Sequence, residues 1–166
     1  MGNHLQAIRM RSAQGTAESL PVGQAGKRAG GNGLPQRWRR TREVRLPAEP
    51  SQLKEARRLA EQAADEFGLD EDARFRLTLA ANEAVANAIE HGSPSPDGSV
   101  LLRVCADQDG VRFEVRDWGT FALRFPDTES LAQRGRGLPM MAALVDEVDL
   151  KPGEDGTLVS LVVRGR

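Results

Sequence analysis

The sequence predicts an α+β fold in which helices cover one face of a largely antiparallel, mixed β-sheet. Two helical stretches follow one another directly between residues 50 and 91. Two pairs of alternating segments, within residues 100–116 and 145–164, are each joined by a short turn containing glycine, which is typical of antiparallel hairpins. Because the alternation of a half-buried strand leaves one sheet face for the core, these observations together indicate a two-layer sandwich.

The charge distribution separates a tail from a folded domain. The 166 residues carry a net charge of −1, but residues 1–40 hold seven Lys/Arg and one acidic residue. The remaining chain is acidic, which argues against a nucleic-acid-binding domain. Residues 1–40 also lack a periodic apolar pattern, so we expect a disordered basic tail there and a single folded domain over residues 41–166.

Cysteine usage and hydropathy limit the cellular compartments in which the protein is expected. Cys105 is the single cysteine, which excludes an internal disulfide framework and fits a reducing compartment. No apolar run reaches membrane-spanning length, and the first residues lack the apolar core of a secretory signal. We therefore expect a cytoplasmic protein without membrane association.

The first half of the folded part predicts a strand and two helices. The strand covers residues 42–47, and Ser51 is the predicted N-cap of the helix that follows. That helix has an apolar stripe formed by Leu53, Ala56, Ala60, Ala63 and Phe67. Asp70 is the predicted N-cap of the second helix, which ends near His91. Its expected core contacts are Phe75, Leu79, Ala86 and Ile89.

The second half predicts four strands, one helix and a long loop. The strands are predicted at residues 100–106, 111–116, 145–151 and 157–164, and the helix at residues 139–144. Residues 120–134 have no clear period and are predicted to form a loop. Because long loops inside compact domains are often functional, we expect this loop to act as a lid.

Three polar residues lie on one face of the second helix. Glu83, Asn87 and His91 are spaced four residues apart among small apolar residues, and this spacing stacks side chains one turn above another. Buried polar groups need hydrogen-bonding partners, which a bound ligand would supply. The alternative is a solvated stripe on an amphipathic helix.

Taken with three later motifs, this stripe resembles a known superfamily. Glu83, Asn87 and His91-Gly92 are followed in order by Asp117-x-Gly119, Gly135-x-Gly137-Leu138 and Gly156-Thr157. The ordered set resembles the GHKL ATPases, which include gyrase, Hsp90, MutL and histidine kinases, and the short chain looks most like the bacterial anti-sigma-factor serine/threonine kinases. The resemblance implies a Bergerat-type sandwich, with three helices on one sheet face and an ATP lid.

The resemblance also implies ATP and Mg²⁺ as cofactors, with a role for each motif. It makes Glu83 the catalytic base and Asn87 the Mg²⁺ ligand. Asp117 would accept a hydrogen bond from the adenine amino group, Gly119 would let the backbone approach the base, and Thr157 would contact the adenine side. Further nucleotide contacts would come from Gly135, Gly137 and Leu138, and Arg134 and Arg136 would steady the phosphates or contact a partner. His91 would contact phosphate or serve as a structural helix end.

One family feature is altered in this chain. The first glycine motif often carries a second glycine, where this sequence has Phe121, and Trp118 within the motif is bulky. We therefore expect a lid that moves differently and a nucleotide affinity that differs from the family's.

Three functions remain open from the sequence. The first is a kinase that phosphorylates a STAS-domain anti-anti-sigma protein and controls a sigma factor by partner switching. The second is a nucleotide-sensing module that sequesters a partner without catalysis, and the third is a structural domain without a nucleotide. The resemblance also allows a homodimer, and we expect no direct contact with nucleic acid.

Overall fold

The computed structural model describes residues 8–11, 40–92, 95, 97–107, 110–119, 137–153 and 155–165. The described strands are β1 (Ile8–Arg11), β2 (Arg40–Pro47), β3 (Ser99–Asp107), β4 (Gly110–Arg116), β5 (Glu147–Gly153) and β6 (Gly156–Arg164). The described helices are α1 (Leu53–Glu66), α2 (Glu71–His91) and α3 (Gly137–Leu144), and a 3₁₀ turn (Pro50–Gln52) precedes α1. Within these ranges, no helix is both long and apolar enough to cross a membrane.

The strands form one sheet in the order β1-β5-β6-β4-β3-β2. Every pairing between the described strands is antiparallel, so the predicted mixed sheet is antiparallel throughout this part of the chain. Helices α1 and α2 pack on each other and on one face of the sheet, and α3 packs on α2. The predicted two-layer α+β sandwich is thereby confirmed.

The two long helices begin differently from each other. The predicted N-cap role of Ser51 is wrong, because the 3₁₀ turn places Gln52 before α1 and the Ser51 hydroxyl instead donates to the Glu49 carboxylate at 3.3 Å. The N-cap of α2 is Asp70, as predicted. Its carboxylate accepts a hydrogen bond of 2.7 Å from the backbone N–H of Ala73.

Small residues line the interface between the helices and the sheet. The predicted stripe of α1 is confirmed, with Ala56, Ala60 and Ala63 buried. The predicted core face of α2 is wrong for Phe75, which is 62% exposed, whereas Ile89 is partly buried against the core as predicted. The buried face of α2 consists of Ala73, Leu77, Ala80, Ala81, Ala84, Val85 and Ala88. Alanine predominates on this face because its small side chain lets α2 pack closely against α1 and the sheet.

The sheet is wider than the sequence predicts. Strand β1 lies at one edge, where Ile8 is opposite Leu150 and Arg11 is opposite Glu147 of β5. This strand lies within the segment that the sequence predicts to be a disordered tail. The rest of that tail, apart from Arg40 at the start of β2, and the predicted lid over residues 120–134 lie outside the described residues.

Candidate functional site

The polar stripe of α2 faces the start of α3. The side chains of Glu83 and Asn87 are partly buried, and Gly137, the first residue of α3, lies directly against both. A Cβ atom at Gly137 would stand 2.6 Å from Glu83 Oε1 and 2.8 Å from Asn87 Nδ2. The missing side chain at residue 137 is therefore what lets the carboxylate, the amide and the helix end meet.

This meeting point has a defined chemistry. The first backbone N–H groups of a helix have no partner within that helix, and the helix dipole favours negative charge there. Such an end is suited to phosphate groups. The Glu83 carboxylate beside it can accept a proton, and the Asn87 amide oxygen is a hard donor of the kind that Mg²⁺ prefers.

A second cluster forms around Asp117, directly after β4. The Asp117 backbone N–H donates to the Thr157 carbonyl at 3.1 Å, and the Thr157 N–H donates to the Asp117 carbonyl at 3.2 Å. The Gly119 N–H donates to Asp117 Oδ1 at 2.9 Å. Asp117 and Thr157 are both buried, so the structure holds an acidic side chain in a fixed position at the end of the sheet.

Burial raises the pKa of Asp117 above its ordinary value. The N–H groups of Gly119 and Thr157 and the charge of Arg116 act in the opposite direction, but the loss of solvent outweighs them. The charged carboxylate is therefore short of stabilising contacts in the protein alone. A ligand that offers an N–H donor would supply one.

Two glycines enclose the Asp117 cluster. At Gly92, the residue after α2, a Cβ atom would lie 2.7 Å from both Cβ and Cγ of Asp117. Gly156 has a φ of +123°, and a side chain there would overlap the Asp117 carbonyl oxygen. The site residues assigned from the sequence do not include these two, although the His91-Gly92 and Gly156-Thr157 pairs of the resemblance contain them.

The two clusters lie along the same helix. Glu83 and Gly92 are separated by about 13 Å of helix rise, and Asn87 lies between them. The C-terminal half of α2 thus carries a carboxylate and an amide at one end and contacts Asp117 at the other. An elongated ligand that offers an N–H group at one end and anionic groups at the other would match this order.

Trp118 lies away from the Asp117 carboxylate. Its ring is flanked by the guanidinium groups of Arg45, 5.2 Å away, and Arg116, 5.7 Å away. Both arginines follow residues that pack into the core, so they project from the sheet face without helices. The expectation that the bulk of Trp118 affects nucleotide affinity is not supported by this geometry, because the ring and the carboxylate project to opposite sides.

The remaining predicted site residues differ in where they lie. His91 is exposed, and its Nε2 is 3.8 Å from a Glu90 carboxylate oxygen. Leu138 packs against the hydrophobic core, so its side chain anchors the first turn of α3. The residues Phe121, Arg134, Gly135 and Arg136 lie outside the described part of the chain.

The charged groups of the described residues do not form a cage for a metal. Over the described ranges, no group of three or more His, Cys, Asp or Glu side chains is arranged to hold an ion. A magnesium ion that takes one amide oxygen from the protein and further oxygens from phosphates and water does not require such a cage.

Comparison with known proteins identifies the family. A family model described as the histidine kinase-like ATPase domain matches residues 46–163. The serine-protein kinase RsbW of Bacillus pumilus (strain SAFR-032) is 28% identical over 131 residues, which cover 70% of this chain and 81% of that protein.

A solved structure agrees with this match. The structure of the RsbU and RsbW domains of Rv1364c from Mycobacterium tuberculosis is similar, with a TM-score of 0.60 and 26% identity over 75% of this chain. The match covers 32% of that longer chain. The chain described here therefore belongs to the histidine kinase-like ATPase domain family, as the ordered motifs predict.

Proposed function

We propose that the protein is an ATP-dependent serine/threonine protein kinase of the anti-sigma-factor type. One observation carries the proposal: Gly137 brings the start of α3 against Glu83 and Asn87, so that a helix N-terminus, a carboxylate and an amide meet at one point. Family membership and the similarity to a serine-protein kinase support the same reaction.

The adenine ring would bind at the Asp117 end. The carboxylate would accept a hydrogen bond from the exocyclic amino group, and Gly119 would leave room for the base beside the backbone. Thr157 would contact the same side of the ring. A buried acceptor rejects a base that lacks the matching donor, because the acceptor would be left unpaired.

The phosphates would lie at the other end of the helix. Asn87 would hold Mg²⁺ through its amide oxygen, and the ion would neutralise charge on the phosphate oxygens. The donor set fits this ion, because Asn87 carries a neutral amide oxygen and lies beside the Glu83 carboxylate and the start of α3. Gly135, Gly137 and Leu138 would donate backbone N–H groups to the phosphates. Arg134 and Arg136 would contact the same phosphates.

Glu83 would act as the general base. It would take the proton of a serine hydroxyl while the hydroxyl oxygen attacks the γ-phosphorus. The bond between that phosphorus and the oxygen bridging to the β-phosphate breaks, and ADP leaves. General-base assistance of this kind typically contributes about 10²–10⁴-fold in rate.

The proposed protein substrate is a STAS-domain anti-anti-sigma protein, and the proposed target of regulation is a sigma factor in the cytoplasm. Phosphorylation of the STAS protein would release it and leave the kinase free to bind the sigma factor. A homodimer is compatible with this scheme.

The test is transfer from radiolabelled ATP to candidate STAS proteins by the Glu83→Gln variant. Glutamine keeps the size of the side chain next to Gly137 but does not accept the proton. We expect transfer to fall by about 10²–10⁴-fold with ATP affinity within about threefold of wild type. Glu90→Gln, which alters an exposed carboxylate on the same helix, is the matched control and should transfer normally. Transfer by Glu83→Gln at the wild-type rate would refute the assigned base.

A second candidate function is a nucleotide-sensing module that captures its partner without catalysis. The presence of Phe121 where the family often has a glycine favours it. Wild-type protein that binds ATP and captures the partner, but transfers no phosphate to any STAS candidate, would establish this function instead.

A further inference from the structure

On the sheet face without helices, three rows of cross-strand neighbours extend over five strands. The first row consists of Thr41, Cys105, Arg112, Val162 and Glu147. The second row consists of Glu43, Arg103, Glu114, Ser160 and Asp149. The third row consists of Arg45, Leu101, Arg116, Leu158 and Lys151. Over the described ranges, neither a helix nor a strand lies over these rows.

Burial nevertheless differs sharply between the rows. In the first row Cys105 is 0% exposed, Val162 2% and Arg112 9%. In the third row Arg45 and Arg116 are both exposed. The two ends of one sheet face thus have different surroundings.

The length of the buried side chains indicates a cover beyond the neighbouring strands. Adjacent side chains can shield a cysteine or a serine, but arginine and glutamate are long and are rarely buried. The side chains of Arg112 and Glu114 are only 10% and 5% exposed. On the same strand Arg116, with the same kind of side chain, is exposed. Neighbouring side chains supply part of the cover, since Arg112 donates to Ser160 and Arg103 pairs with Glu114. The extent of the burial favours a further segment over the first row and the Glu114 side of the second.

The topology indicates which part. Strands β1 and β2 are at opposite edges of the sheet, and the antiparallel pairings bring the end of β1 and the start of β2 to the same row. Arg11 is opposite Glu147, and Thr41 is opposite Cys105. The chain between them must cross five strand spacings, roughly 24 Å. The other face is filled by the helices.

We propose that residues 12–39 pack across the face without helices, along the first row, over Cys105, Arg112 and Val162. The occupant of this surface is then the protein's own connection between its edge strands. This assignment explains why burial is greatest in the row where both edge strands meet the connection. It leaves the third row, with Arg45 and Arg116 beside Trp118, as the part of this face open to other molecules.

Cys105 provides a built-in probe, because it is the only cysteine of the chain. Single cysteines are introduced by Ser19→Cys, Gln24→Cys, Asn32→Cys and further substitutions along residues 12–39 of the full chain. Mild oxidation followed by peptide mass spectrometry then identifies disulfides to Cys105. We expect at least one position to form an intramolecular disulfide with Cys105 in monomeric, folded protein. The same variants carrying Cys105→Ser, and a Phe75→Cys variant on the helix side, are the controls.

The outcomes separate the possible occupants. Disulfides that link two chains would assign the face to a second copy and overturn the proposal. A complete scan without any link to Cys105 would also overturn it.

A second measurement does not depend on disulfide geometry. Residues 12–34 are replaced by a Gly/Ser segment of equal length, and the reaction of Cys105 with a thiol reagent is followed in folded protein. We expect the rate to rise by at least tenfold, because the Gly/Ser segment has no apolar side chains to pack on the sheet. An unchanged rate would mean that the neighbouring strands alone bury the first row, and would overturn the proposal.

Discussion

Replacing Asp117 by asparagine should weaken ATP binding without weakening the fold. The substitution keeps the shape of the side chain, and its amide oxygen can still accept the Gly119 N–H. It removes the charge that would hold the adenine amino group. Ligand binding and stability should therefore respond in different directions.

The structure sets the magnitude for binding. A hydrogen bond to a charged group contributes about 1.5–3 kcal/mol, against about 0.5–1.5 kcal/mol for a neutral pair. The expected loss is about 1–2 kcal/mol, or roughly 5- to 30-fold in Kd. The asparagine side chain can also turn its amide group to the adenine, which would add to the loss.

The sign of the stability effect follows from the pKa of Asp117. Burial raises that pKa in the folded state, so the folded protein holds its proton to higher pH than the unfolded chain. The stability of the wild type therefore falls as the pH rises from the unfolded pKa of Asp117 to its folded pKa. Above the folded pKa the full loss of stability is reached. At neutral pH we expect the apo variant to melt at the wild-type temperature or above it. The difference in melting temperature between variant and wild type should shrink as the pH falls toward the pKa of Asp117 in the unfolded chain.

The assay combines calorimetric titration with Mg·ATP and thermal denaturation of the apo protein at several pH values. Asp155→Asn is the matched control, because it removes the same charge from an exposed turn residue next to Gly156. A variant with lower stability and unchanged ATP affinity would refute the reasoning, and would favour a structural role for Asp117. Wild-type protein that binds no ATP would refute the nucleotide site as a whole.

Three further predictions concern residues within or next to the site. Gly137→Ala should keep the free energy of unfolding within about 1 kcal/mol of wild type, because only the ends of the flexible Glu83 and Asn87 side chains must move. It should reduce phosphate transfer by about 10²-fold, because the proposed base Glu83 and the proposed metal ligand Asn87 would be displaced; steady-state kinetics measures this. Gly156→Ala should lower the free energy of unfolding by more than about 2 kcal/mol in urea denaturation, since the new methyl group overlaps backbone atoms. The control Gly98→Ala, also at positive φ but in open space, should lower it by about 1 kcal/mol. Trp118→Leu should leave the Kd for ATP within about threefold by calorimetry, because its ring lies on the opposite side of the sheet from the carboxylate.

The fold and the positions of the motifs could be predicted because they depend on local pattern. Alternation marked the hairpins, and the capping carboxylate of Asp70 marked the start of α2. The four-residue spacing of Glu83 and Asn87 placed them on one face, and the structure brings Gly137 against that face.

Other features depend on contacts between distant parts of the chain. Phe75 has the composition of a core residue, but the alanines of α2 fit the tighter interface and leave the phenylalanine outside. The four residues of β1 alternate, yet a strand this short becomes visible only through its partner β5. The side of the sheet to which Trp118 projects could have been predicted from the sequence. Residues two apart on a strand share a face, and Arg116 alternates with core residues.

The reciprocal hydrogen bonds between Asp117 and Thr157 have a consequence for the entropy of binding. Both residues are tied to each other through their backbones before any ligand arrives, and both are buried. A nucleotide would therefore meet an adenine site whose chain is already ordered, and the free energy of its contacts would not be spent on fixing that chain. Recognition of the base at this end would then require little further ordering of Asp117 and Thr157.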